Sequence, residues 1–105
     1  MLTNKPGVLA RNLLATLGVS ERFFAVIGGG DGYATKPDPA GAKELIARSG
    51  VTAERTLLVG DSHVDVETAR AATASICAVT WGFSTRSELA AASPDFLIDE
   101  IAALP

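Results

Sequence analysis

Two aspartates four residues apart, Asp61 and Asp65, follow the apolar run Thr56-Leu57-Leu58-Val59 across a single glycine, Gly60. Two carboxylates in one crevice repel each other unless a cation or a shared proton compensates. A hard divalent ion that keeps several waters and binds a phosphate, Mg²⁺, suits one or two carboxylates well. The same pair admits a structural reading, in which Asp61 caps the following helix and Asp65 meets the positive end of its dipole. A second group is Lys36-Pro37-Asp38-Pro39. Proline at 37 holds Lys36 extended, so a stiff backbone aims its ammonium, which can then neutralise a phosphate. A lone lysine is otherwise usually a solvated surface group. A third is Thr3-Asn4, where a hydroxyl and the following amide could hold a phosphate oxygen.

These groups need elements to hold them. Short apolar runs alternate with helix-period segments, which argues for α/β with a parallel sheet. The first helix is expected to start near Pro6, carry Leu9, Leu13, Leu14 and Leu17 on one face and stop at Gly18. A strand over 24–27 should end in a turn at Gly28, Gly29 and Gly30. Asp38-Pro39 predicts a helix start, with Ala42, Leu45 and Ile46 inward and an end at Ser49-Gly50. The run over 56–59, apolar on both faces, reads as a central parallel strand. A helix over about 64–72, a strand over 76–79, a helix opened by the capping box at Thr85 and Glu88, an edge strand over 96–98 and a final helical turn complete the reading. In open parallel sheets ligands bind beyond the carboxyl ends of the strands, where the charged groups fall.

Composition narrows the function classes. The 105 residues are 48% hydrophobic and carry a formal net charge of −3, with no basic stripe. Nucleic-acid binding is therefore not expected. No segment approaches 18 or so continuous apolar residues, so no membrane span is expected. The single cysteine, Cys77, lies in an apolar run, reads as a buried strand residue, and allows no disulfide framework; the expectation is a cytoplasmic protein. His63 reads as a solvent-facing turn residue. Trp81 could border a pocket or belong to the core.

In order and spacing, Thr-Asn-Lys-Pro at 3–6, Gly-Gly-Asp at 29–31, Lys-Pro-Asp-Pro at 36–39, Val-Gly-Asp-Ser at 59–62 and Val-Thr-Trp-Gly at 79–82 resemble the haloacid dehalogenase superfamily. Together with Gly-Asp-Ser-x-x-Asp-Val-x-x-Ala-Arg-Ala-Ala at 60–72, the last looks like its phosphoglycolate phosphatase branch. The resemblance implies that residues 1–105 are the C-terminal part of a phosphatase core domain. It implies one Mg²⁺ and one phosphate surrounded by Thr3, Lys36, Asp61 and Asp65, with Lys36 and Thr3 catalytic, Thr3, Asn4 and Lys36 on phosphate, and Asp61 and Asp65 on the metal.

The resemblance also implies a reaction in which an aspartate attacks the phosphoryl group and a second acts as acid and base. Both belong to an Asp-x-Asp at the end of the family's first, central strand, and this sequence has no such motif. The cap domain that sets substrate choice is missing too. The fold expected is thus a partial Rossmann-like parallel sheet, with a gap or a rearranged pairing where that strand belongs. Two functions compete. One is a Mg²⁺-dependent phosphomonoesterase acting on 2-phosphoglycolate or a similar small phosphorylated metabolite, inactive as this chain alone; the other is a non-catalytic Mg²⁺- or phosphate-binding remnant or interaction module. Unpaired strand edges favour an oligomer, or a complementing N-terminal segment as partner.

Overall fold

The computed structural model describes all 105 residues. The first strand, β1 (Leu2–Pro6), leads directly into helix α1 (Gly7–Thr16) and then, through a loop, into β2 (Ile27–Gly29). β1 and β2 pair in parallel, with Leu2 opposite Ile27, Pro6 opposite Gly29 and an irregularity between. That irregularity depends on glycine. A Cβ at Gly28 would lie 2.5 Å from the Gly7 Cα, and one at Gly29 would lie 2.9 Å from the Asn4 carbonyl oxygen. Gly28 and Gly29, expected as a turn, are therefore strand residues, and the strand expected over 24–27 is shifted toward them. Phe24 is left exposed.

The leucine face expected of α1 is also corrected. Ala10 and Leu14 are buried, but Leu9, Leu13 and Leu17 are 62%, 53% and 63% exposed. A two-stranded sheet is too narrow to cover a whole helix face. The helix stops as anticipated at Gly18, whose φ of 71° suits glycine. Helix α2 (Ala40–Ser49) begins where Asp38 Oδ1 accepts the Ala40 N–H at 2.9 Å and ends at Gly50 with φ 72°. Ala42 is buried and Leu45 and Ile46 are half-buried.

The second half of the chain is a three-stranded parallel sheet, β3 (Leu57–Gly60), β4 (Ser75–Val79) and β5 (Phe96–Ile98), in the order β3-β4-β5. Helix α3 (His63–Ala71) connects β3 to β4, and α4 (Arg86–Ala91) connects β4 to β5. The core sits here. Val66, Ala69 and Ile76 pack in one cluster, and Cys77, Val79 and Ile98 in another. Asp95 fastens the start of β4 by accepting the Ile76 N–H at 2.9 Å while paired with Arg70. The capping box at α4 forms as read, with the Glu88 N–H donating to Thr85 Oγ1 at 3.3 Å and the Thr85 N–H to Glu88 Oε2 at 3.2 Å.

The two sheets share no ladder, so the expected gap is present: β1 and β3 have no strand between them. Instead of lying centrally, β3 is an edge strand of its sheet, which explains why Leu57 and Leu58 are only half-buried and Val59 is 46% exposed. The space holds two clefts. One, of about 390 Å³, is lined by apolar side chains including Leu2, Leu45, Ile46, Leu57 and Leu58. The other, of about 510 Å³, is lined by Thr3, Leu13, Asp61, Trp81 and Gly82. Met1, Leu2, Lys36, Val59 and Asp65 border both. No helix is long and apolar enough to cross a membrane.

Candidate phosphate and metal site

Three segments far apart in sequence converge at the second cleft: β1 with Thr3, the loop bearing Lys36, and the end of β3 with the start of α3. Parallel strands place their carboxyl ends on the same side, so the turns following them face a common crevice.

At the β3–α3 turn, Gly60 allows Asp65 to fold back over the strand end, because a Cβ there would lie 2.3 Å from the Asp65 Cγ. Asp65 Oδ2 then accepts the N–H groups of Asp61 at 3.0 Å and Ser62 at 3.2 Å, and the Ser62 hydroxyl at 3.2 Å. Asp65 is thus the reciprocal acid of a capping box whose cap is Ser62. Asp61 is not the helix cap, contrary to the structural reading of the pair. Its Oδ2 instead accepts the Phe83 N–H at 2.9 Å, and its Oδ1 has no protein donor. That approach requires Gly82, since a Cβ at this position would lie 2.2 Å from Asp61 Oδ2.

Lys36 crosses the gap from the other side. Its Nζ lies 2.7 Å from Asp65 Oδ1, with only 15% of the lysine side chain and 6% of the aspartate side chain exposed. An ammonium has three donors and this contact uses one. The other two remain for a ligand in the cleft. Asn4 grips the same lysine from behind: its Nδ2 donates to the Lys36 carbonyl at 2.9 Å, and its Oδ1 accepts the Lys36 N–H at 2.8 Å. The side-chain amide of Asn4, read as a phosphate group donor, is therefore committed first to Lys36. Thr3 lines the cleft, and its Oγ1 accepts the Lys5 N–H at 3.2 Å.

The donor set suits a hard cation only in part. No group of three or more His, Cys, Asp or Glu side chains is arranged to hold a metal ion. Asp61 offers a carboxylate oxygen free of protein donors, whereas both oxygens of Asp65 are engaged. Mg²⁺ is commonly held by one or two carboxylates with waters and substrate phosphate oxygens completing its shell. Asp61 fits that role as the direct ligand, with Asp65 beside it as the anchor of Lys36.

The remaining candidates separate. His63 is exposed at the start of α3. Trp81, left between pocket and core in the sequence, is half exposed at the rim of the cleft. Cys77 is wholly buried, and desolvation pushes its thiol above the usual range, so it is no nucleophile. Gly60 allows the turn as its place in the sequence suggests, whereas the roles of Ser62 and Gly82 are set by the fold. Serine followed three residues later by an acid was the signal for Ser62.

Known proteins resemble the chain over nearly its whole length. The family model of haloacid dehalogenase-like hydrolases matches residues 1–73. A phosphoglycolate phosphatase of Photobacterium profundum is 35% identical over 104 residues, and one of Cupriavidus necator is 39% identical over 104 residues; each alignment covers 99% of this chain and 45% of the relative. The chain thus spans less than half the length of these relatives. A crystal structure of a haloacid dehalogenase-like hydrolase from Bacteroides fragilis superposes with a TM-score of 0.90 at 34% identity, covering 99% of this chain and 50% of that one. With residues 1–73 matched by its model, the chain belongs to the haloacid dehalogenase-like hydrolase family.

Proposed function

We propose that these 105 residues form the metal- and phosphate-holding half of a Mg²⁺-dependent phosphomonoesterase of the phosphoglycolate phosphatase type. The observation that carries the reading is the convergence of the Lys36 ammonium and the free Asp61 oxygen on one cleft, with Thr3 on its wall. Mg²⁺ bound at Asp61 would offset charge on a phosphoryl oxygen. Lys36, held by Asp65, keeps two N–H donors for another oxygen. The Thr3 hydroxyl can donate to a third. Such fixed charges and donors are the electrostatic part of catalysis, often its largest single contribution.

The attacking carboxylate is not among these groups. Asp65 is engaged at both oxygens, Asp61 stands four residues away at the proposed metal position, and no Asp-x-Asp exists in the sequence. A strand bearing that motif, supplied by a segment outside these residues, would fit the gap between β1 and β3, with apolar contacts from Leu2, Leu57 and Leu58. The buried, unpaired thiol suits a reducing cytoplasm as the setting.

The test combines binding with complementation. The chain alone is expected to bind Mg²⁺ weakly by calorimetry, to lose most of that binding in Asp61→Asn, and to show no turnover of 2-phosphoglycolate. Adding the N-terminal portion of a complete relative is expected to restore partial turnover, abolished again by Lys36→Ala. Robust hydrolysis by the pure chain would overturn the reading. Equal Mg²⁺ affinity in the chain and in Asp61→Asn would remove its metal site, and binding without any recovered turnover would favour the non-catalytic role.

A further inference from the structure

We infer that Asn4 is a positioning residue: it grips the backbone of Lys36 and so aims the ammonium at the phosphate site, without itself holding phosphate. The inference rests on the phosphate role of Lys36 proposed above.

The geometry is reciprocal. The Lys36 N–H donates to Asn4 Oδ1 at 2.8 Å and the Lys36 carbonyl accepts from Asn4 Nδ2 at 2.9 Å, across 32 residues of sequence. Only one orientation of the amide satisfies both, because the oxygen must face the donor and the nitrogen the acceptor. The loop has little else to hold it there. Pro37 contributes no N–H, and the nearby backbone contact is the Asp38 N–H to the Thr35 carbonyl at 3.0 Å. Lys36 is thus fixed at its backbone by Asn4 and at its tip by Asp65, which leaves its four-carbon stem little freedom. Asn4 spends both ends of its amide on this grip, with one Nδ2 hydrogen left over. The relay Asn4, Lys36, Asp65 and the N–H groups of Asp61 and Ser62 links two sheets that share no ladder.

A double-mutant cycle on the 105-residue chain, with inorganic phosphate and Mg²⁺ as the probe and NMR shifts as the readout, tests the inference. Asn4→Ala is expected to weaken phosphate binding by about tenfold, the scale of two lost hydrogen bonds. In a Lys36→Ala background the same substitution is expected to change nothing further, because residues acting through one another are not additive. Additive losses would show that Asn4 touches phosphate directly, and unchanged affinity in Asn4→Ala would show that it does neither; both overturn the inference.

A second readout needs no ligand. Amide exchange at Lys36 should be slow in the unmodified chain, fast in Asn4→Ala and intermediate in Asn4→Asp, which keeps the acceptor for the Lys36 N–H but sets an oxygen against the Lys36 carbonyl. Mobility of the Lys36 side-chain nitrogen should rise in Asn4→Ala. If the unmodified chain binds no phosphate, the proposed function fails, while amide exchange still decides whether Asn4 holds Lys36: equal exchange in the unmodified chain and Asn4→Ala overturns the grip.

Discussion

The Lys36 ammonium and the Asp65 carboxylate meet at 2.7 Å across a gap between two sheets that share no backbone ladder. The contact serves two ends at once. It neutralises a carboxylate already committed to capping α3, and it fixes a cation at the mouth of the cleft. One ion pair therefore joins the folding of the site to its chemistry.

Removing the cation should be costly because the partner is buried. Lys36→Ala removes the counter-charge of Asp65, whose side chain is 6% exposed in the intact pair. A loss of about 3 kcal/mol is expected, the scale seen when one member of a buried pair is deleted. Urea unfolding of the two proteins checks this. A loss under about 1 kcal/mol would place the pair with solvent-screened surface bridges.

A second pair makes stability depend on pH. Asp31 Oδ2 and Oδ1 accept from the Arg11 guanidinium at 2.8 and 3.0 Å, and the Gly28 N–H donates to Oδ2 at 2.8 Å. These contacts hold its carboxyl down at about 2, against an ordinary 3.8. A depressed folded-state value means that the stabilisation is present above the unfolded value and is lost as pH falls through the folded one. Urea midpoints measured between pH 6 and pH 2 or so should fall most below about pH 4. Arg11→Ala should flatten that part of the slope; an unchanged profile would remove Asp31 as its source.

Gly82 should be intolerant of even one methyl group. A Cβ there would sit 2.2 Å from Asp61 Oδ2, and the backbone behind it cannot retreat while the Phe83 N–H stays bonded to the same oxygen. Gly82→Ala is expected to turn Asp61 aside and weaken Mg²⁺ binding by about tenfold, equivalent to one lost charge-assisted contact. Calorimetry reads the affinity, and circular dichroism should show the fold retained. Unchanged affinity would mean that Asp61 is not the metal ligand.

The free edge of β3 should drive association. Val59 is 46% exposed on it, and Leu9, Leu13 and Leu17 remain uncovered on α1. Open edges beside apolar surface recruit further chains. Sedimentation velocity should show concentration-dependent oligomers, reduced in Val59→Lys, where a charge blunts the edge. A monomer at every concentration would show that the gap is stable by itself.

Much of this architecture was legible in the residues because it rests on local rules. Gly18 and Gly50 stop their helices, Asp38 starts one, and Thr85 with Glu88 starts another, each within one turn of chain. The apolar runs over 56–59 and 76–79 became, within a residue, the adjacent parallel strands β3 and β4. Lys36, Asp61 and Asp65 stood out for the same reason: carboxylates after a strand and glycine, and a lysine stiffened by proline, are patterns of near neighbours.

What could not be read there depends on partners distant in the chain. Period alone placed four leucines on one face of α1, but which of them are buried depends on the width of the sheet beneath, and only Leu14 is. A run apolar on both faces suits a central strand, yet β3 lies at an edge because no strand separates it from β1. The division of labour at the site is likewise a matter of distance. Asp61 and Asp65 are equivalent as letters, but the fold sends Lys36 and two backbone N–H groups to one and leaves an oxygen of the other free. Asn4, 32 residues from the lysine it holds, carries no local mark of that task, because a hydrogen bond is specified by where two groups meet in space.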